Sequence, residues 1–273
     1  MRQSTRVRKT AMASLIGAAA VSAPAGSVRA EDTGPEARVV VEPHGHMQSF
    51  TLEERGVPPR AMRLRVVVSR ALEDSIETWK RLMGSYSAEI DQVRLRYVDR
   101  LQPNNCYGLY AGQGPAYCSG NNTVFVGTDA AHRLMARFGM HGAAGITFLI
   151  GHEMGHHIQN IHGRFLLLSH VIRRSPGDRF DLMRRFELEA DCYAGVWIHS
   201  SEAWANSQRF RFEIYEVLRR IGDDTIGGGE PNPQMARMGG VHGTSQERIS
   251  WFTRGVKSGD WRACKAFGAA RPD

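Results

Sequence analysis

GHEMGHHIQ, residues 151–159, sets His152 and His156 four positions apart within a run that reads as helix. At that spacing two imidazoles share one face, separated by about 6 Å along the axis. Both can reach a single tetrahedral ion. Glu153 is turned by about 100° from His152 and stands beside such an ion, where a carboxylate can hold and deprotonate a water molecule. HExxH on a helix therefore points to zinc-assisted hydrolysis. Because the pattern arises by accident in on the order of a few per cent of chains of this composition, the reading also requires a third ligand, a helix and a pocket.

The helix is predicted from Ala143 to about Ile161. Gly145, Leu149, His152 and His156 fall on one side of its wheel, and Ile150, Met154 and Ile161 on the other. Apart from the histidines both sides are apolar, which buries this helix near the middle of its domain. His157 points away from the ligand face and reads as a hydrogen-bonded structural histidine. His162 and His170 read as ordinary surface residues.

Further along, Ser175-Pro176-Gly177-Asp178 signals a turn, and Phe180 to about Ser200 reads as a second long helix. Within it Glu187 and Asp191 are i and i+4, and with Ala190, Ala194 and Ile198 they form one narrow face whose small residues allow a close neighbour. Glu187 is the candidate third ligand, giving a His, His, Glu site with one position open. Asp191, one turn on, is placed to accept the free N–H of a ligating histidine. Glu189 lies about 200° round the wheel from Glu187 and cannot share its role. The bland alternative is a solvated acidic face balancing Arg184 and Arg185.

Length and charge limit what the rest can be. A chain of 273 residues, 42% hydrophobic and 8% aromatic, holds one substantial domain or two small ones. Arg2, Arg6, Arg8, Lys9 and Arg29 lie in the first thirty residues without an acid, so subtracting these five charges from the formal +7 leaves +2. The basic bias belongs to a leader and gives no nucleic-acid signal. Residues 1–30 have the parts of a secretory signal peptide: a basic start, an apolar stretch from Ala11 to about Ala25, and Val28 and Ala30 before a cleavage point at Glu31. An uncleaved N-terminal anchor is the alternative. No later run is long and apolar enough for a membrane helix. The mature chain is accordingly expected in the periplasm or secreted.

Four cysteines suit an oxidising compartment. Of the three pairings, Cys106 with Cys118 and Cys192 with Cys264 are favoured; the first closes a Gly-rich loop and the second ties a central helix to the C-terminal region. Zinc binding by the thiols is the alternative, and no CxxC spacing supports it. Residues 31–61 are polar and aperiodic and read as a flexible N-terminal segment, with His44 and His46 exposed. Val68, Leu72, Ile76, Trp79 and Met83 predict an amphipathic helix, residues 93–97 and 122–127 predict two strands, and a short helix from about Ala130 to Phe138 follows. A small antiparallel sheet is the simplest arrangement. Phe210, Ile214, Val217, Leu218 and Ile221 mark a further helix, and 226–240 is a Gly-, Pro- and Met-rich loop that reads as a mobile wall or lid of the cleft or as a plain surface connection.

HEMGHHIQN from His152, FELEADCYAGVW from Phe186, HGTSQERISWFTRGVKSGDWRAC from His242 and GPAYCSGNNTVFVG from Gly114 resemble the bacterial neutral zinc metallopeptidase family. This is a gluzincin-type group with the pattern HExGHHxQ, a downstream ELxAD and a C-terminal HGT segment. The similarity runs from roughly Leu64 to Phe267. It implies Zn2+ as cofactor, His152, His156 and Glu187 as ligands, and Glu153 as catalytic base. Gly151 stands where the family pattern has alanine, which bears on helix stiffness and not on chemistry. The resemblance also makes His242 the candidate late histidine that faces the metal and steadies an oxyanion; a capping or loop role is the alternative. Thr244 or Ser245 caps the helix that follows, and Arg248 on that helix is placed to hold the loop or a carboxylate.

The expectation is an α+β, zincin-like domain over 62–273: a small antiparallel sheet plus a helical half, with the active-site helix between them. The expected function is an exported zinc-dependent endopeptidase acting on protein or peptide substrates, with oligomeric state left open. The rivals are a non-proteolytic zinc amide hydrolase and a non-cleaving, chaperone-like binding protein on the same fold.

Overall fold

The first helix, α1 (Pro59–Leu82), begins on a proline, whose fixed φ suits the first helical position. Leu64, Val68, Leu72, Ile76 and Trp79 recur along one side of it and are buried together with Met83. The structure is a computed structural model, and it describes residues 59–98, 114–225 and 240–266. The expected leader, His44, His46, Cys106 and nearly all of the 226–240 loop lie outside the described residues.

A short helix, α2 (Ser87–Ile90), leads to β1 (Arg94–Val98); β2 (Ala116–Cys118) and β3 (Thr123–Gly127) complete a three-stranded sheet of order β1-β3-β2. The expected antiparallel sheet is corrected here. β1 runs parallel to β3, with Leu95 opposite Val124, and only β2 is antiparallel to it, with Tyr117 opposite Val124. Strands β1 and β3 are therefore joined by a crossover, as parallel neighbours must be. β2 enters on the far side of β3 through a tight turn in which Asn122 adopts a left-handed φ of 55°. With three residues, β2 is too short for any alternation to show in the sequence.

Helix α3 (Thr128–Phe138) follows directly on β3, and α4 (Gly142–Ile161) carries HEMGHH through the centre of the fold. It packs against α1, α3 and β2, and against α6 (Arg179–Ser200) and α7 (Gln208–Leu218). The apolar character on both sides of α4 is matched by its burial: nearly every residue from Ala144 to Gln159 is inaccessible. Between α4 and α6 lies α5 (Arg164–Arg174), a helix the sequence reading did not include: Phe165, Leu168, Val171 and Ile172 share a partly buried side, Leu166 and Leu167 are exposed, and no residue of the helix is fully buried.

The last long helix, α8 (Ser245–Ser258), starts in a capping box: Thr244 accepts the N–H of Glu247, and Glu247 reaches back to the N–H of Thr244. α8 lies flush on α6 because Gly195 and Gly255 meet there. A Cβ on Gly195 would sit 2.2 Å from the Phe252 carbonyl oxygen, and one on Gly255 would sit 2.0 Å from that of Cys192. Beyond α8, Cys264 is joined to Cys192 of α6 by a disulfide, as expected. Cys118 is also disulfide-bonded. The α+β class holds. None of the helices among the described residues is long and apolar enough to cross a membrane.

Candidate metal centre and active site

His152 and His156 stand on the side of α4 that faces α6, with ring centroids 4.7 Å apart. Glu187 comes from α6, and its Oε2 lies 3.1 Å from His152 Nε2 and 3.3 Å from His156 Nε2. The three side chains offer ligand atoms that all fall within 4.8 Å of one another.

The opposite edge of each imidazole is also occupied. His152 Nδ1 is 2.8 Å from Asp191 Oδ1, and His156 Nδ1 is 2.7 Å from Gln159 Oε1. Both partners are acceptors only, so each Nδ1 carries the hydrogen and each Nε2 turns its lone pair to the cluster. Asp191 is fixed in turn by Arg248, whose Nε donates to Oδ2 and Nη2 to Oδ1, both at 2.8 Å, while Nη1 donates to the Ile221 carbonyl. Gln159 is anchored by donating to the Phe186 carbonyl oxygen at 2.8 Å. The Phe186 ring itself stacks on His156, 18° from parallel. The sequence reading set Asp191 behind a ligating histidine and left Arg248 to hold either the loop or a carboxylate; Arg248 meets Asp191 and the Ile221 carbonyl. That reading gave Gln159 no role, although its i+3 relation to His156 was the available signal.

Two imidazole lone pairs and a carboxylate converging in a buried space repel one another unless a cation joins them. In the metal-free protein, protons take that part. Burial opposes charging of His152, but its bonds to Asp191 and Glu187 outweigh this and raise its pKa to about 10. His156 is raised too, against burial, chiefly by Glu187. Glu187, for which burial again works in the wrong direction, is held well below the usual carboxylate range by His156, by both imidazole hydrogen bonds and by His242. A zinc ion fits this donor set: two neutral imidazole nitrogens and one carboxylate oxygen, with oriented supports behind two of them.

Glu153 is likewise buried, and one of its oxygens accepts the main-chain N–H of Tyr117 in β2 at 2.7 Å. Burial, opposed by the two histidines, leaves its pKa raised. A carboxyl so placed is poised to take and return a proton. The backbone donor has no residue signature, and sequence reasoning missed it.

His242 is 47% exposed at its side chain, where it meets Asp223 at 3.4 Å through Nδ1. The other Asp223 oxygen accepts the main-chain N–H groups of His242 and Gly243, each at 2.8 Å. Asp224 holds the next turn by accepting from Ser245 N and Oγ. Asp223 and Asp224 thus cradle the HGTS segment, and neither was singled out from the sequence.

The remaining neighbours are sorted by helix geometry. His157 bridges the Tyr117 hydroxyl and the Glu89 carbonyl oxygen. Glu189, completely buried, pairs with Arg164 and accepts from Tyr193 Oη and Ala266 N, facing away from the cluster. His162 corrects the expectation of a surface residue: it stacks on Trp261 at 4.8 Å and meets the edge of Tyr86 at 5.3 Å.

Over residues 38–267 the chain matches the family described as "Putative neutral zinc metallopeptidase". It belongs to that family. The match begins upstream of the boundary drawn at residue 62, and α1 likewise starts earlier, at Pro59. Among curated relatives of this zinc metallopeptidase family member, the uncharacterized protein YpfJ of Escherichia coli (strain K12) is 29% identical over 224 residues, covering 78% of this chain and 75% of that protein. The uncharacterized protein Rv2575 of Mycobacterium tuberculosis (strain ATCC 25618 / H37Rv) is 30% identical over 226 residues, covering 77% and 72% respectively. No solved structure matches the chain.

Proposed function

We propose that this protein is an exported zinc-dependent endopeptidase of the periplasm or the extracellular space, with its catalytic domain beginning near residue 59. The observation that carries the reading is the pairing of the His152, His156, Glu187 cluster with a buried carboxylate, Glu153, standing on the adjacent face of the same helix. The leader and the Cys192–Cys264 disulfide support export.

In this reading His152, His156 and Glu187 hold the ion, Asp191 and Gln159 fix the imidazole rings, and Arg248 fixes Asp191. A bound zinc supplies Lewis-acid polarisation of the scissile carbonyl and a lowered pKa for the attacking water. Glu153 takes the proton from that water and delivers it to the leaving amine nitrogen. His242, whose Nδ1–H is turned to Asp223, donates through Nε2 as the doubly protonated imidazolium to the oxyanion that develops on the carbonyl. The test is metal analysis together with a casein and peptide-library digest of the wild type and Glu153→Gln. The variant is expected to keep one zinc per chain and to lose activity by about 10²-fold or more, the contribution of a positioned general base. Equal activity in the two proteins removes Glu153 from its assigned role; a zinc-loaded wild type that cleaves no peptide removes the peptidase reading itself.

A further inference from the structure

Helix α4 carries two parallel stripes one residue out of step. His152, His156 and Gln159 face α6. Glu153, His157 and Asn160, at i, i+4 and i+7, lie about 100° further round and face β2. The second stripe grips a single residue. Glu153 accepts the Tyr117 main-chain N–H at 2.7 Å. The Tyr117 hydroxyl, two helical turns along, lies 2.9 Å from His157 Nδ1 and receives an N–H from Asn160 Nδ2 at 3.1 Å. Asn160 donates also to the Ser119 carbonyl and to Asn122 Oδ1, so it spans the whole β2–β3 turn. His157 is fixed from behind by the Glu89 carbonyl, and the tyrosine ring is 3% exposed, so neither end of this chain of contacts is free to drift.

We propose that His157 and Asn160 are positioning residues: by clamping the Tyr117 hydroxyl they hold β2 in register along α4, and with it the main-chain N–H that aims Glu153. The geometry favours this over a purely structural network for one reason. Among the described residues β2 is an edge strand of three residues hydrogen-bonded to β3 alone, and so short a ladder does little to fix its place along α4. Its polar ties to α4 are the Tyr117 N–H on Glu153, the Ser119 carbonyl on Asn160 and the Tyr117 hydroxyl on His157 and Asn160, and of these the hydroxyl contacts are the ones a side chain of the strand supplies. The inference rests on Glu153 being the base of the proposed peptidase, whereas its structural half, the fixed N–H to Glu153, stands apart from activity.

The experiment compares wild type, Tyr117→Phe, Asn160→Ala and Glu153→Ala in the full zinc-loaded chain. It follows amide hydrogen exchange at residue 117, zinc affinity by chelator competition, thermal melting, and kcat and KM for a peptide found in the digest. Tyr117→Phe removes only one oxygen and leaves the ring, and so serves if Asn160→Ala folds poorly. Expected are a rise of about tenfold in exchange at residue 117 in all three variants and zinc affinity within about twofold of wild type for Tyr117→Phe and Asn160→Ala. In those two, kcat should fall by about tenfold or more with KM unchanged, since small misplacements of a reacting group cost up to about 10². An unchanged kcat despite faster exchange, or a rise in KM alone, overturns the positioning role. Unchanged exchange in Glu153→Ala overturns the N–H contact itself. If the wild type cleaves nothing, the peptidase reading fails, and the exchange data alone decide the clamp.

Discussion

Replacing Gly151 by alanine inserts one methyl group directly before the first histidine of the site. On an exposed helix that change stabilises by about 1 kcal/mol, because glycine loses the most backbone freedom on folding. Here the added Cβ would stand 2.4 Å from both Cε3 and Cζ3 of Trp197, and 3.5 Å from the Ala194 Cβ. Carbon atoms in contact prefer about 3.5–4.0 Å, so the indole or the helix has to move by roughly 1 Å. Trp197 has little freedom to do so. It is fully buried, its Nε1 donates to Asp74 Oδ1 at 2.7 Å, and its ring meets Trp204 edge-on at 5.1 Å. Overpacking of this kind costs about 1–3 kcal/mol, and a strained hydrogen bond to Asp74 adds about 1 kcal/mol. Strain exceeds propensity, and the net expectation is a loss of about 1–3 kcal/mol. For a domain of this size that lowers Tm by about 2–4 °C per kcal/mol. Differential scanning calorimetry of the metal-free and zinc-saturated proteins measures it. In a double-mutant cycle with Trp197→Leu the penalty should vanish, since the space then exists. An unchanged or raised Tm for Gly151→Ala on the wild-type background refutes the argument that the Trp197 ring, and not tolerance of a flexible helix, accounts for the glycine.

Arg248→Lys keeps the charge near Asp191 but cannot reproduce the two-point contact; zinc affinity, read by chelator competition, should weaken by about 10- to 100-fold, the usual range for a disturbed support behind a metal ligand, and an unchanged affinity removes Arg248 from that role. The zinc-free protein should lose stability as pH rises from about 6.5 towards 10. His152 has a folded-state pKa raised to about 10, so its contribution is complete below its unfolded value near 6.5 and disappears as it deprotonates in the fold. Melts in the presence of a chelator across that range check the sign, and apparent zinc affinity should climb over the same interval as the metal competes with fewer protons.

Local periodicity explains which parts of the site were readable in the chain. His152 with His156, and Glu187 with Asp191, are i and i+4 pairs on helices, and the helix repeat alone puts each pair on one face. The same arithmetic separated Glu189 from Glu187, and the buried pair of Glu189 with Arg164 agrees with it. Helix α8 was signalled by a capping residue, Thr244 or Ser245, ahead of an apolar stripe, and the structure assigns the cap to Thr244. By contrast, Asp223 reaches His242 from nineteen residues upstream, out of a turn with no repeat, and its chemistry is indistinguishable in sequence from that of Asp224 beside it. The direction of β1 against β3 depends on which side of β3 receives β2, a fact of the whole topology that strand patterns do not encode.

The N–H that holds Glu153 belongs to the backbone and is donated whatever residue stands at 117, so no motif can register it. What the sequence does carry is the side-chain counterpart. Glu153, His157 and Asn160 repeat the spacing of His152, His156 and Gln159 one residue later, and a helix that spends three polar groups on a second stripe in a buried setting must meet a polar partner there. Of the residues on β2, Tyr117 alone combines a buried side chain with a hydroxyl able to satisfy it. The burial requirement thus pairs helix and strand before any distance is measured. It also makes the base and its support a single unit: a change that removes the tyrosine hydroxyl leaves the buried His157 Nδ1 without its partner, at a cost of about 1–3 kcal/mol, takes one of three acceptors from Asn160, and in the proposed clamp loosens the N–H on Glu153 in the same step.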